Sequence, residues 1–219
     1  MRILAASWAV LQRDWRGEWR TRAALNAAVL FAVAAPVALS FSVARQSLEP
    51  EILAGCLWSV LLFAALVGLP RAFVKEEESG TALQLRLAAP PDAVLWGKAA
   101  FNFGLLALTQ LAAVPLFAIL LDARISSFSL LLGTLILGDI GLAASSTLLG
   151  AMASVARARG ALFCAIAVPV LLPLLVVVSG ATAAAFGARG DAAANLQILA
   201  AYDAAVVAAA WLLFPFVWE

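Results

Sequence analysis

RAFVKEEESGTALQLRLAAPPDAVLWGK, residues 71–98, is the only long polar interruption in a chain otherwise made of apolar runs, and it fixes how those runs are counted. It holds four of the fourteen basic residues and four of the thirteen acidic ones. Gly80 and Thr81 open a segment, TALQLRLAA, that Pro90 and Pro91 close. This punctuation predicts a helix of about two turns over residues 81–89. Thr81 is its N-cap, the carboxylates of residues 76–78 stand just upstream, and the prolines cannot continue it. Leu83 and Leu87, with Leu85 less squarely placed, give it an apolar side. Such a helix between two apolar runs is a handle for a cytoplasmic partner, or else a piece of loop lying on lipid. Glu76, Glu77 and Glu78 read as a solvated loop face, with an ion site as the alternative.

Outside this stretch the composition places the chain in a bilayer. It is 65% hydrophobic and 12% charged, where soluble domains are about half apolar and a quarter charged. Mean hydropathy is +1.03. A net charge of +1 supplies no concentrated basic face, so nucleic acid is not expected as a partner. Cys56 and Cys164 both fall inside apolar runs and read as small packing residues rather than a disulfide framework. Histidine is absent, which removes the commonest ligand of zinc and haem iron and the commonest general base.

Residues 2–22 carry Leu4, Trp8, Leu11, Trp15 and Trp19 at helical spacing, with Arg2, Arg13, Arg16, Glu18 and Arg20 elsewhere on the wheel. The pattern predicts an amphipathic helix lying in the headgroup plane and leading into the membrane as an elbow. A cleaved signal peptide is not expected, although Ala32-Val33-Ala34 mimics a cleavage site, because the polar lead is too long and the apolar run too extended. Six apolar runs follow, at about 23–43, 52–70, 99–121, 128–153, 160–180 and 198–217, each near the roughly 20 residues that cross a bilayer. The expectation is an all-α membrane protein. Residues 1–219 are expected to form one transmembrane domain with a short cytoplasmic helix between spans 2 and 3.

Lysine and arginine divide eleven to three between alternate sides of these runs, the larger share on the side of the N-terminus and residues 71–98. That asymmetry predicts cytoplasmic termini and a cytoplasmic 71–98 segment. The spans differ in texture. Span 3 carries Asn102, Thr109, Gln110 and Pro115. Span 4 carries Asp139 in GDIGLAASSTLLGA, rich in the small residues that let helices approach closely. Pro169 and Pro173 in span 5 free the carbonyls of Ala165 and Pro169 and predict a bend. Span 6 holds Tyr202 and Asp203.

A carboxylate inside a membrane costs about 3 kcal/mol or more on insertion scales and needs a partner or water. Asp139 and Asp203 are therefore either substrate or coupling residues, or structural ones, with Asp139 bonded to Ser, Thr or Asn on a neighbouring helix and Asp203 at the interface. They fall at different depths, which argues against a paired aspartyl hydrolase. Other chemistry is missing too. At Gly97-Lys98 the position where a phosphate-binding loop needs its first glycine is Asp92, and there is neither a His-Glu-x-x-His pair nor a Gly-x-Ser-x-Gly elbow. The chain is not expected to be an enzyme.

Several pieces in order resemble a known family. They are Phe73 with residues 76–78, Ser79-Gly80-Thr81 and residues 83–90; Gly97-Lys98 with Asn102; the small-residue run 141–150 leading to Arg157; Val168-Pro169-Val170-Leu171-Leu172-Pro173; and Tyr202-Asp203 with Leu213-Phe214-Pro215-Phe216-Val217. The whole resembles the permease subunits of ABC exporters of the elbow-helix type, and more closely the CcmB family, the haem exporter B proteins of bacterial cytochrome c maturation. An alanine-rich composition and a longer, tryptophan-marked N-terminus are its departures.

The resemblance implies an inner-membrane permease subunit that pairs with a second copy of itself and with a dimer of a separate ATPase, CcmA, which binds ATP and Mg. It implies association with CcmC and CcmD, and a role in releasing haem-loaded CcmE. It also gives Glu78, Gly80, Thr81, Leu83, Leu85 and Leu87 as the residues that couple to the ATPase. Haem is the implied substrate of the complex. This chain offers only Met1, Met152, Cys56, Cys164 and Tyr202 as axial ligands, so mechanical coupling is favoured over haem ligation and no directly bound cofactor is expected. Two other readings stand beside it: a small ion-coupled carrier using Asp139 and Asp203, which should show matched broken helices, and a structural scaffold.

Overall fold

The computed structural model describes residues 2–43, 47–69, 73, 76, 80–154 and 159–218, with only the backbone of residues 2, 154, 159–164 and 166. The eight helices named here are α1 (Arg2–Thr21), α2 (Ala23–Val43), α3 (Pro50–Gly68), α4 (Ala82–Ala88), α5 (Pro91–Leu120), α6 (Phe128–Ser154), α7 (Arg159–Ala185) and α8 (Ala192–Trp218). No strand occurs among the described residues. Long apolar sequences take this form because a backbone surrounded by hydrocarbon must satisfy its own hydrogen bonds, and a helix does so within one segment. Six of the helices, α2, α3 and α5–α8, are long and apolar enough to cross a membrane. The chain is an all-α membrane protein.

The proline pair acts as expected, with a shift in the boundary that follows. Pro90 is extended, at φ −66° and ψ 151°, and ends α4, but Pro91 stands in the first turn of α5, where its missing N–H costs nothing. Span 3 therefore begins at Pro91 rather than near residue 99, and Trp96, Gly97 and Lys98 are helical. Span 6 likewise starts at Ala192 rather than near 198. Asp191 starts it by accepting the amides of Ala193 and Ala194 at 3.0 and 3.1 Å. At Thr81 the expectation fails. It precedes α4 with helical dihedrals and makes no side-chain cap; its N–H instead donates to the Glu76 carbonyl at 2.9 Å.

α6 lies at the centre and touches α5, α7 and α8, while α3 packs on α7 and α2 on both α3 and α5. The small residues of α6 permit this. A Cβ at Gly138 would fall into the Trp58 ring of α3, and the Trp58 indole N–H donates to Thr182 Oγ1 of α7 at 2.7 Å. α1 lies along the first half of α5. A Cβ at Gly97 would stand 2.7 Å from the Val10 Cβ and 2.8 Å from the Ser7 carbonyl, and one at Gly104 would stand 2.7 Å from the Trp15 ring. Trp15 also meets Phe101 edge-on, with centroids 5.4 Å apart. Trp8 and Trp19, on the same stripe of α1 as Trp15, stay exposed, and Trp19 stacks on Trp15 with centroids 6.2 Å apart. Between α1 and α2, Arg22 takes a positive φ of 51°, and a Glu18 carboxylate oxygen accepts the Leu25 amide at 2.9 Å.

Candidate functional site

One end of the bundle gathers α1, α4, the start of α5 and the ends of α6 and α8 around two residues of the 71–98 stretch, Phe73 and Glu76. Phe73 is buried against Gly150 of α6, where a Cβ would lie 3.0 Å from its ring. It meets Phe214 and Trp218 of α8 at centroid distances of 6.4 and 6.0 Å. Behind it sits Lys98, which has no exposed surface. Its Nζ is 3.0 Å from Glu76 Oε1, 3.2 Å from Asp14 Oδ2 and 4.6 Å from the Phe73 ring centre. Arg13 adds a second cation, paired with Glu76 and 3.3 Å from Asp14. Among the described residues, two cations and two carboxylates thus meet in a cluster that joins α1, the 71–98 stretch and α5. Desolvating an ammonium costs several kcal/mol unless opposite charge and hydrogen bonds compensate, and here the compensation comes from two separate segments.

α4 rests on this base. Ala82, Leu85 and Ala89, at helical spacing, are buried, and Leu85 and Ala89 belong to the same cluster as Phe73, Phe214 and Trp218. Leu83 and Leu87 point away and are 66% and 82% exposed. The expected single apolar side is therefore divided: Leu85 anchors the helix, and the other two leucines form an outward face. Gly80 turns the chain into α4 at φ 68°, a conformation natural to glycine. The Arg86 guanidinium lies 5.2 Å over the Trp218 ring. Glu78 lies outside the described residues.

The intramembrane polar residues separate into three sites. Asn102 donates to Thr147 Oγ1 at 2.9 Å, which in turn donates to the Ala143 carbonyl at 2.6 Å. Asp139 accepts a hydrogen bond from Gln110 at 2.6 Å, so its partner is an amide rather than the expected Ser, Thr or Asn. Asp203 stands near the middle of α8. It is 4% exposed, lies 2.5 Å from where a Gly141 Cβ would stand, and neither carboxylate oxygen has a hydrogen-bond partner among the described residues. Gly141 is two residues from Asp139, about 3 Å of helical rise. The two carboxylates thus share a level on different sides of α6, and the expected difference in depth is not found. Pro169 and Pro173 both lie inside α7, and the Tyr202 hydroxyl donates to the Val170 carbonyl between them at 2.9 Å.

No cluster of three metal-ligating side chains occurs among the described residues. Cys56 lines an apolar groove of about 330 Å³ between α2 and α3, Met152 stands exposed on α6, and Tyr202 is committed to α7. The side chain of Cys164 is outside the description. Sequence reasoning missed the charged cluster because its members are far apart in the chain, Lys98 and Asp14 by 84 residues. The available signal was Lys98, a charge inside a helical apolar run directly after the glycine that brings α1 close.

Two comparisons with known proteins bear on this arrangement. The CcmB protein family matches residues 5–217. The heme exporter protein B of Rhodobacter capsulatus is 31% identical over 211 residues, covering 95% of this chain and 94% of that protein.

Proposed function

Since the chain belongs to the CcmB family, we propose that it is the membrane subunit of an ABC-type haem exporter, working in c-type cytochrome biogenesis in a bacterial inner membrane with both termini in the cytoplasm. In this reading it is non-catalytic. It pairs with a second copy of itself, and a separate CcmA-like ATPase dimer binds ATP and Mg and supplies the work. CcmC, CcmD and CcmE-like proteins are its haem-handling neighbours, and release of haem-loaded CcmE is the outcome of the cycle. The observation that carries the proposal is the outward pair Leu83 and Leu87 on a short helix whose Leu85 packs into the cluster of Phe73, Phe214 and Trp218, at the end of the bundle where basic residues concentrate. Two leucines one turn apart suit an apolar cleft in a partner. When the ATPase pair closes, α4 is pushed as a unit because Leu85 and the cluster beneath it resist compression.

Leu83→Asp with Leu87→Asp is expected to abolish co-purification of a co-expressed nucleotide-binding subunit while the chain still folds, because both side chains face outward. Retained co-purification with unchanged ATP turnover would refute the docking role. A second reading, an ion-coupled carrier, is favoured by one feature, the Asp203 carboxylate without a hydrogen-bond partner among the described residues. Asp139→Asn separates the two: the carrier loses function, whereas the lever keeps it because asparagine still bonds to Gln110.

A further inference from the structure

We propose that α8 is an output of the coupling helix: Phe73, Arg86, Phe214 and Trp218 form a clasp through which displacement of α4 reaches the C-terminal helix. The proposal rests on the docking reading above for what moves α4. Chain connectivity alone would send that motion to α3 and α5, the spans before and after α4 in the chain. The packing adds a third route. Phe214 and Trp218 stack with centroids 5.7 Å apart and planes 18° apart, Phe73 tilts against Phe214 and meets Trp218 edge-on, and the Arg86 guanidinium lies over the Trp218 ring. Phe73, Phe214 and Trp218 are each at most 3% exposed. A close-packed group of rings cannot be compressed, so a push on α4 must carry the end of α8 with it or break the stack.

The consequence reaches the middle of the membrane. Fifteen residues before Trp218, or about 22 Å along the helix, α8 carries Asp203 against α6. Tyr202 beside it bonds to the α7 carbonyl between Pro169 and Pro173. In α7 those prolines have removed the backbone N–H groups that would otherwise bond to the carbonyls four residues earlier. Movement of α8 therefore arrives where α7 is held by fewer bonds of its own.

The test uses the full chain with a co-expressed nucleotide-binding subunit in nanodiscs, and spin labels at Phe216, exposed on α8, and Glu51, exposed at the far end of α3. ADP-vanadate trapping should change the Phe216–Glu51 distance. Trp218→Ala should keep capture of the subunit and lose the change, Arg86→Gln should diminish it, and Trp218→Phe should restore it. An undiminished change in Trp218→Ala, or no change in the unaltered chain that still captures the subunit, overturns the relay alone. If Trp218→Ala does not fold, Arg86→Gln decides: it removes the cation without leaving a cavity, and an undiminished distance change there overturns the relay. Failure of the unaltered chain to capture the subunit overturns the docking reading, and the relay with it.

Discussion

Lys98 shows what a single residue can hold. A fully buried ammonium with carboxylates at 3.0 and 3.2 Å is costly to disturb, since removing one partner of a buried pair leaves uncompensated charge, at about 3–5 kcal/mol. Lys98→Met should therefore lower the melting temperature of the detergent-solubilised protein sharply. Adding Glu76→Gln should recover part of that loss, because it removes one of the carboxylates left behind. Strict additivity of the two would show that they do not interact. Asp203 is the opposite case. Its carboxylate is buried without a hydrogen-bond partner among the described residues, and an ionisable group at that depth costs about 3 kcal/mol on insertion scales. Asp203→Asn should leave folded yield equal or raise it and leave ATPase capture intact. A folded Asp203→Asn protein that has lost function would instead favour the carrier.

Among the elements, α1 and α4 are the two that do not span, and each is held by contacts the sequence displays only in part. The tryptophan and arginine spacing of residues 2–22 made the helix legible, but not its seat on α5. That seat depends on Gly97 and Gly104, seven residues apart in another helix, and a glycine read alone does not say which backbone approaches it. Gly97→Ala places a methyl group 2.7 Å from Val10 and 2.8 Å from a backbone carbonyl, and a carbonyl cannot rotate aside. The variant should lose about 1–3 kcal/mol by overpacking, seen as a lower unfolding temperature and faster proteolysis of α1. α4 was legible from its closing prolines, and its capping was not. Thr81 turns its own N–H to the Glu76 carbonyl and leaves the first turn of α4 without a side-chain cap. The division of its leucines followed from what lies underneath, since a seven-residue helix carrying Ala82, Leu85 and Leu87 cannot declare which apolar face is inward until Phe214 and Trp218 are placed.

At the scale of the whole molecule, the six spans were readable because hydrocarbon thickness and the length of an apolar run are the same quantity, divided by the rise of a helix. Their neighbours were not, because between lipid-soluble helices no difference in hydrophobicity selects a partner, and small residues and hydrogen bonds decide instead. Hence Asp139 with Gln110, and Trp58 with Thr182, emerge only from the assembled bundle. The concentration of basic residues at the α1 and α4 end predicts that end in the cytoplasm. A cysteine at Gln84 should react with an impermeant maleimide only in inside-out vesicles, and one at Arg124 only in right-side-out vesicles. The claim of a passive lever is tested most directly by co-reconstituting the chain with its nucleotide-binding subunit and measuring ATP-dependent release or export of haem. The unaltered chain should support a rate that disappears with Leu83→Asp and Leu87→Asp, and nothing should move when the subunit is left out. Transport by the chain alone, driven by an ion gradient without ATP, would contradict it.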